Sequence, residues 1–401
     1  MGAAGAGQLH SWLRERESEM VDLLVRLAAA ESPTTVPESQ DAPLGILREE
    51  LQHASLNVRR LRGLRTGGVL YARPRVRRRG APYQLLVGHS DTVWPLGSIQ
   101  EIGLGTENGV VRGPGVYDMK GGLVEIVFAL RALAEHGVEP DVTPVVVVNT
   151  DEEIGSPESR DLLECLARGA VRALVLEGAY GAAGKLKTAR KSVGRFTLLV
   201  RGRAAHAGVN PEQGASAILE LSHQVQRLFA LNDRARGITV NVGQIDGGLR
   251  PNVVAAEARA EIDVRVPTME AALAVEREIR GLGPVGDDVE IQISGRFGRL
   301  PLEPTPRNRA LWRAAQAAGT ELGLDLEDVA VGGASDANIT SVHTATLDGL
   351  GPLGGGAHAP DEHVLAASLP ERAALLALLV LLPPGLGSPD ALVRGSTAMP
   401  A

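Results

Sequence analysis

The sequence predicts an α/β protein into which a smaller α+β unit is inserted, and three observations carry that expectation. Short aliphatic runs at 84–87, 143–148 and 173–176 each end in a polar cluster, with a helical pattern over 122–136 between the first two. Near residue 191 the texture changes to an imperfectly alternating strand (195–201), a helix (215–229), strands at 238–242 and 256–264, a second helix (269–280) and a closing strand. From about residue 301 the α/β texture resumes. The expected organisation is therefore one domain built from 1–190 and 301–401, interrupted by a domain over 191–300.

Each element has its own justification. Leu9, Trp12, Leu13, Met20, Leu23, Leu24 and Leu27 recur at helical spacing, and Ser32 with Pro33 ends that amphipathic helix. The aliphatic runs lack polar alternation, as strands covered on both faces do. In such sheets ligands gather at the carboxyl ends of the strands, where the polar clusters fall. No short-period repeat indicates a solenoid.

Composition narrows the function classes. The chain has 401 residues, 44% hydrophobic and 22% charged, enough to bury a sizeable core. A net charge of −7 argues against a general binder of nucleic acid or anionic membrane. The single cysteine, Cys165, rules out an intrachain disulfide framework and a cysteine-rich zinc site, and is expected to pack on an apolar helical face. The longest apolar run, 373–382, falls short of the roughly 18 residues of a membrane span. The opening lacks a basic region followed by an apolar stretch, and Ala6 misses the myristoylation pattern, so a cytoplasmic location is expected. The tail beyond Pro383 is expected to be loose.

Several motifs are decoys. GLGPVG at 281–286 follows a helix and contains a proline, against the strand–turn–helix context of a dinucleotide site. The basic run over 73–79 reads as a solvated hairpin tip. GASDA at 333–337 resembles a nucleophile elbow but ends in alanine; a serine hydrolase using Ser335, Asp348 and a later histidine is the minor alternative.

Three clusters differ in kind. GHSDTV ends a strand in His89-x-Asp91, GPGVYDMKGG surrounds Asp118 with glycines, and NTDEEIGS places Asp151, Glu152 and Glu153 at the end of a buried strand. Three adjacent acids repel one another unless cations sit among them. These clusters resemble the zinc-dependent exopeptidases: aminoacylases, acetylornithine and succinyl-diaminopimelate deacylases and, most closely, glutamate carboxypeptidases of the carboxypeptidase G type. The resemblance continues through LVLEGA, RGRAAHAG, GLRPNVVAAEA, GGASDAN and GGGAHAPDEHV, and so spans nearly the whole chain.

The resemblance implies a zinc-exopeptidase-like catalytic domain, a mixed sheet flanked by helices, with an inserted α+β dimerisation domain. It implies two zinc ions per subunit bridged by Asp118, one held by His89 and Glu177, the other by Glu153 and His358; cobalt or manganese can substitute. His363 is the rival of His358. Glu152 is implied as general base, Asp91 as the carboxylate that orients His89, and His206 as an oxyanion ligand reaching the partner subunit of a homodimer. Asn252 and Arg299 are implied to bind substrate, with Arg296 the rival for its carboxylate. The expected activity is cleavage of the amide bond next to a C-terminal amino acid with a free carboxylate, in a small peptide or N-acyl amino acid. An N-acyl-amino-acid deacylase with the same site is the alternative, and a binder that has lost the chemistry is a more distant one.

Overall fold

Where one helix is expected at the start, the chain forms two, Ala3–Arg14 and Glu17–Ala29. The break falls where no apolar side chain lies between Leu13 and Met20, so nothing holds a continuous helix to the core there. The computed structural model describes residues 3–76 and 80–385. The tail over 386–401 and the end of the basic run, 77–79, lie outside the described residues.

The chain divides into two units, the first formed by Met1–Thr188, Pro304–Ala330 and Ser335–Ala401, the second by Ala189–Glu303 and Val331–Ala334. In the first, six strands lie in the order Leu56–Leu61, Val69–Pro74, Thr143–Asn149, Tyr83–His89, Arg172–Val175, Ala345–Leu347. The last four run parallel, and the first two are antiparallel, so the sheet is mixed. All of Thr143–Asn149 is buried, which explains its unbroken aliphatic run. The helix Gly121–Glu135 packs against Ser368–Val380, and both are almost wholly buried. Their apolar side chains join those of the sheet in one core.

Gly122 shows why the DMKGG segment carries paired glycines. A Cβ there would meet the Leu176 carbonyl oxygen at 2.0 Å, closer than any side chain allows, so only glycine brings this helix onto the strand end.

The second unit is a four-stranded antiparallel sheet in the order Thr239–Gly247, Glu257–Val266, Ser192–Arg201, Glu290–Arg299. Helices Ala217–Phe229 and Met269–Arg280 bury their apolar stripes against it. Burial alternates along Glu257–Val266, as in a sheet with one covered face. Ser216 and Thr268 cap the two helices by accepting the N–H groups of Leu219 and Ala271.

One expectation needs revision. Cys165 is exposed, because the helix Arg160–Gly169 turns Leu163 and Ala167 inward instead. Glu125 is fully buried in Gly121–Glu135, a position the sequence marks only as helical. Burial pushes its carboxyl well up, against the pull of Arg372. The GLGPVG segment is structural: the N–H groups of Val285 and Gly286 donate to the Glu220 carboxylate. No described helix is long and apolar enough to cross a membrane.

Candidate metal centre

The strand Tyr83–His89 keeps its parallel pairing as far as His89 opposite Asn149, which fixes His89 at the carboxyl end of the sheet. Its ring is 1% exposed. Nδ1 lies 3.0 Å from the Asp91 carbonyl oxygen and 3.3 Å from the Asp91 carboxylate. Donating from Nδ1 leaves a lone pair on Nε2. That atom is buried without a hydrogen bond, 3.3 Å from Asp118 Oδ1 and 3.7 Å from Glu177 Oε1.

Asp118 belongs to the short turn Val116–Lys120 that leads into the helix Gly121–Glu135. Its other oxygen, Oδ2, lies 3.2 Å from His358 Nε2, which is also 3.2 Å from Glu153 Oε2. One carboxylate thus faces two imidazoles, one through each oxygen. Glu153 follows Glu152 in the turn Glu152–Ile154, and the N–H groups of both donate to the Asp91 carboxylate at 3.2 and 3.3 Å. Asp91 also accepts the Thr34 hydroxyl at 2.6 Å.

The electrostatics is that of a site made for positive charge. Burial alone would lower the His89 pKa, and the Asp118 and Asp91 carboxylates reverse this and raise it well above the usual value. Asp118 and Glu153 raise His358 to about 10. Despite burial, His358 and His89 hold Asp118 well below the ordinary carboxylate range. His89, Asp118 and Glu153 each offer a ligand atom within 4.8 Å of the others. A buried, unbonded imidazole nitrogen among carboxylates, with no thiolate, fits an open catalytic metal site.

The remaining first-unit candidates lie close by. Glu152 and Glu177 are 7% and 8% exposed. His363 begins the strand His363–Leu365, opposite Arg112, with Nδ1 2.9 Å from the Asp361 carbonyl oxygen, and is not part of the cluster. Ser335 is fully buried; its hydroxyl donates to Asp348 at 2.7 Å and accepts the Ala337 N–H, an arrangement that satisfies a carboxylate and activates no nucleophile.

His206, Asn252 and Arg299 belong to the second unit. His206 and Asn252 sit side by side on exposed segments, joined by a bridge from His206 to Val253 and by the Ala207 N–H on the Asn252 carbonyl. His206 Nδ1 accepts the Gly208 N–H at 3.1 Å, so Nε2 carries the hydrogen of the neutral ring. Arg299 is 8% exposed at the end of Glu290–Arg299, while Arg296 on that strand is exposed.

Sequence reasoning left Thr34, Glu362 and Asp336 without roles. Asp336 accepts Asn149 Nδ2 at 2.6 Å and the Ser156 hydroxyl, pinning both ends of the segment that carries Glu152 and Glu153. Its motif was visible, but not its partners, 180 and more residues away.

With this geometry in view, residues 85–382 match Peptidase family M20/M25/M40. The chain belongs to this family. Carboxypeptidase G2 of a Pseudomonas species is 28% identical over 375 residues, covering 92% of this chain and 90% of that protein. Succinyl-diaminopimelate desuccinylase of Gluconacetobacter diazotrophicus is 27% identical, covering 73% and 78%. Among solved structures, aminopeptidase PepT from Bacillus cereus superposes with a TM-score of 0.71 at 21% identity, covering 92% and 98%. A dinuclear metal binding M20 peptidase from Bacillus subtilis gives 0.69 at 15% identity, covering 91% and 97%. The M20 chain described here is thus a hydrolytic enzyme of metallopeptidase and amidohydrolase type, with the α/β fold and mixed sheet of that family. Its relatives include a carboxypeptidase, a desuccinylase and a deacetylase.

Proposed function

We propose that this enzyme hydrolyses the amide bond next to a C-terminal amino acid with a free α-carboxylate, in the manner of a glutamate carboxypeptidase. The observation that carries the reading is Asp118, whose Oδ1 faces His89 and whose Oδ2 faces His358. A carboxylate so placed would be shared by two divalent ions, zinc in the first instance, which His89 and Glu177 would hold on one side and Glu153 and His358 on the other. When bound, such a pair polarises the scissile carbonyl and acidifies water.

The chain's own residues do the rest. The Glu152 carboxylate takes the proton of the attacking water and returns it to the leaving nitrogen. Asp91 orients the His89 ring and ties down the backbone of Glu152 and Glu153. His206 offers its Nε2–H to the developing oxyanion, acting from the partner subunit of a homodimer. Asn252 and Arg299 hold the substrate, and a guanidinium fork, from Arg299 or its rival Arg296, suits a free α-carboxylate.

A deacylase of N-acyl amino acids uses the same site and bond, and the desuccinylase and an N-acetylcitrulline deacetylase among the relatives favour it as the second reading. The deciding experiment measures amine release from dipeptides and N-acyl amino acids on chelator-stripped protein, with and without zinc. Zinc-restored cleavage only of substrates with a free α-carboxylate is expected, and the best substrate separates carboxypeptidase from deacylase. No release with zinc, cobalt or manganese would defeat the reading in favour of a binder.

A further inference from the structure

Outside the ligand set, one buried carboxylate spends three of its four hydrogen bonds on backbone N–H groups beside the metal site. Glu362 is 1% exposed. Its Oε1 accepts the N–H groups of Tyr117 at 2.9 Å and Asp118 at 3.0 Å. Its Oε2 accepts the N–H of Gly115 at 2.8 Å and Nε1–H of Trp94 at 3.1 Å. A carboxylate has about four lone-pair sites, and four donors occupy them.

The position of Glu362 gives these bonds their consequence. It lies four residues after His358 and leads directly into His363–Leu365, which pairs with Val110–Arg112 just before the Asp118 turn. Trp94 follows the His89–Asp91 segment. Three stretches remote in sequence, those of His89, Asp118 and His358, therefore converge on one side chain. Gly115 makes this possible: its φ of +74° suits glycine, and a Cβ there would meet Thr92 Cγ2 at 2.6 Å.

We propose that Glu362 is the positioning residue of the metal centre, its carboxylate holding the Asp118 backbone in register with His358 so that both side chains reach one ion. It touches no ligand atom and acts through the backbone. A glutamine here has one accepting oxygen in place of two, so its NH2 faces either the Tyr117 and Asp118 donors or those of Gly115 and Trp94, and the turn from Gly115 to Asp118 is loosened although shape is conserved.

The inference rests on the metal reading above, and the test separates the two. Zinc is titrated against a chromophoric chelator on metal-stripped full-length wild type, Glu362→Gln and Glu362→Asp, and visible spectra are recorded for the cobalt-loaded forms. The expected result is a 10–100-fold weaker affinity for Glu362→Gln, the range typical of residues that orient metal ligands, with altered cobalt bands. Glu362→Asp, which keeps the charge and the lone pairs, is expected to regain part of that loss. A folded variant that binds zinc as wild type does overturns the proposal. If Glu362→Gln does not fold, Glu362→Asp carries the test by the same criterion, with a measurable loss of affinity expected. If neither folds, Glu362 serves stability alone and the proposal falls. Wild type that binds no divalent ion defeats the metal reading itself; tight wild-type binding with unchanged variants defeats only this inference.

Discussion

His89 sets its Nδ1 3.0 Å from the carbonyl oxygen of Asp91, closer than the 3.3 Å to the carboxylate of the same residue. The main chain thus shares the orientation of the ring, and the carboxylate is left to receive Glu152 N–H and Glu153 N–H. Asp91→Asn is expected to lower kcat about 10–100-fold and to weaken metal retention, as loss of such supporting groups does. Steady-state kinetics with metal analysis checks this, and an unchanged kcat would remove Asp91 from the machinery.

Glu152→Gln removes only the proton acceptor. A fall in kcat of about 100-fold or more is expected, with metal content unchanged by atomic emission. Unaltered turnover would count against Glu152 as the base.

For His206→Ala, a loss of rate of about 100-fold or more is expected, the scale of a missing oxyanion donor. Sedimentation is expected to report the proposed dimer for both wild type and variant. Full activity in the variant would sink the role assigned to this histidine.

Glu220 gives a prediction remote from the chemistry. Burial would raise its pKa, but Gln224 and the N–H groups of Gly286 and Val285, with a contribution from His223, bring it below the ordinary 4.5. A folded pKa below the unfolded one adds stability that is complete above the unfolded value and disappears as pH falls through the folded one. Glu220→Gln is expected to lower stability at pH 7 by about 1 kcal/mol, the scale of one net hydrogen bond. Urea denaturation of both proteins at neutral pH and below pH 4 tests the sign: the gap between them must narrow in acid.

Ser335→Ala removes a buried donor to Asp348. A destabilisation of about 1–3 kcal/mol is expected. A serine-reactive phosphonate should leave the wild-type enzyme active; inactivation would revive the serine-hydrolase reading.

Local spacing was enough for much of this molecule. The strand–helix–strand–strand–helix–strand order of the second unit follows from apolar patterns with periods near 2 and 3.6, which neighbouring residues express by themselves. The clusters around His89, Asp118 and Glu153 were legible for a related reason: each occupies a few consecutive residues at the end of an aliphatic run or beside paired glycines. Which of them meet was not. Asp118 and His358 are brought within 3.2 Å by the fold, and Glu362 reaches the Asp118 N–H across 244 residues of sequence. Neither approach leaves a local pattern, because the crossing of distant segments sets it. The same holds for Cys165, exposed where its helix was expected to bury it, and for Glu125, buried where a helical period marks only a turn of helix. The amino-acid order alone marked most of the elements, their sequence and the chemistry carried at their ends. The tertiary structure alone decided which carboxylates face an imidazole and which are spent holding the backbone in place, since burial and hydrogen-bond partners exist only once the chain has closed on itself.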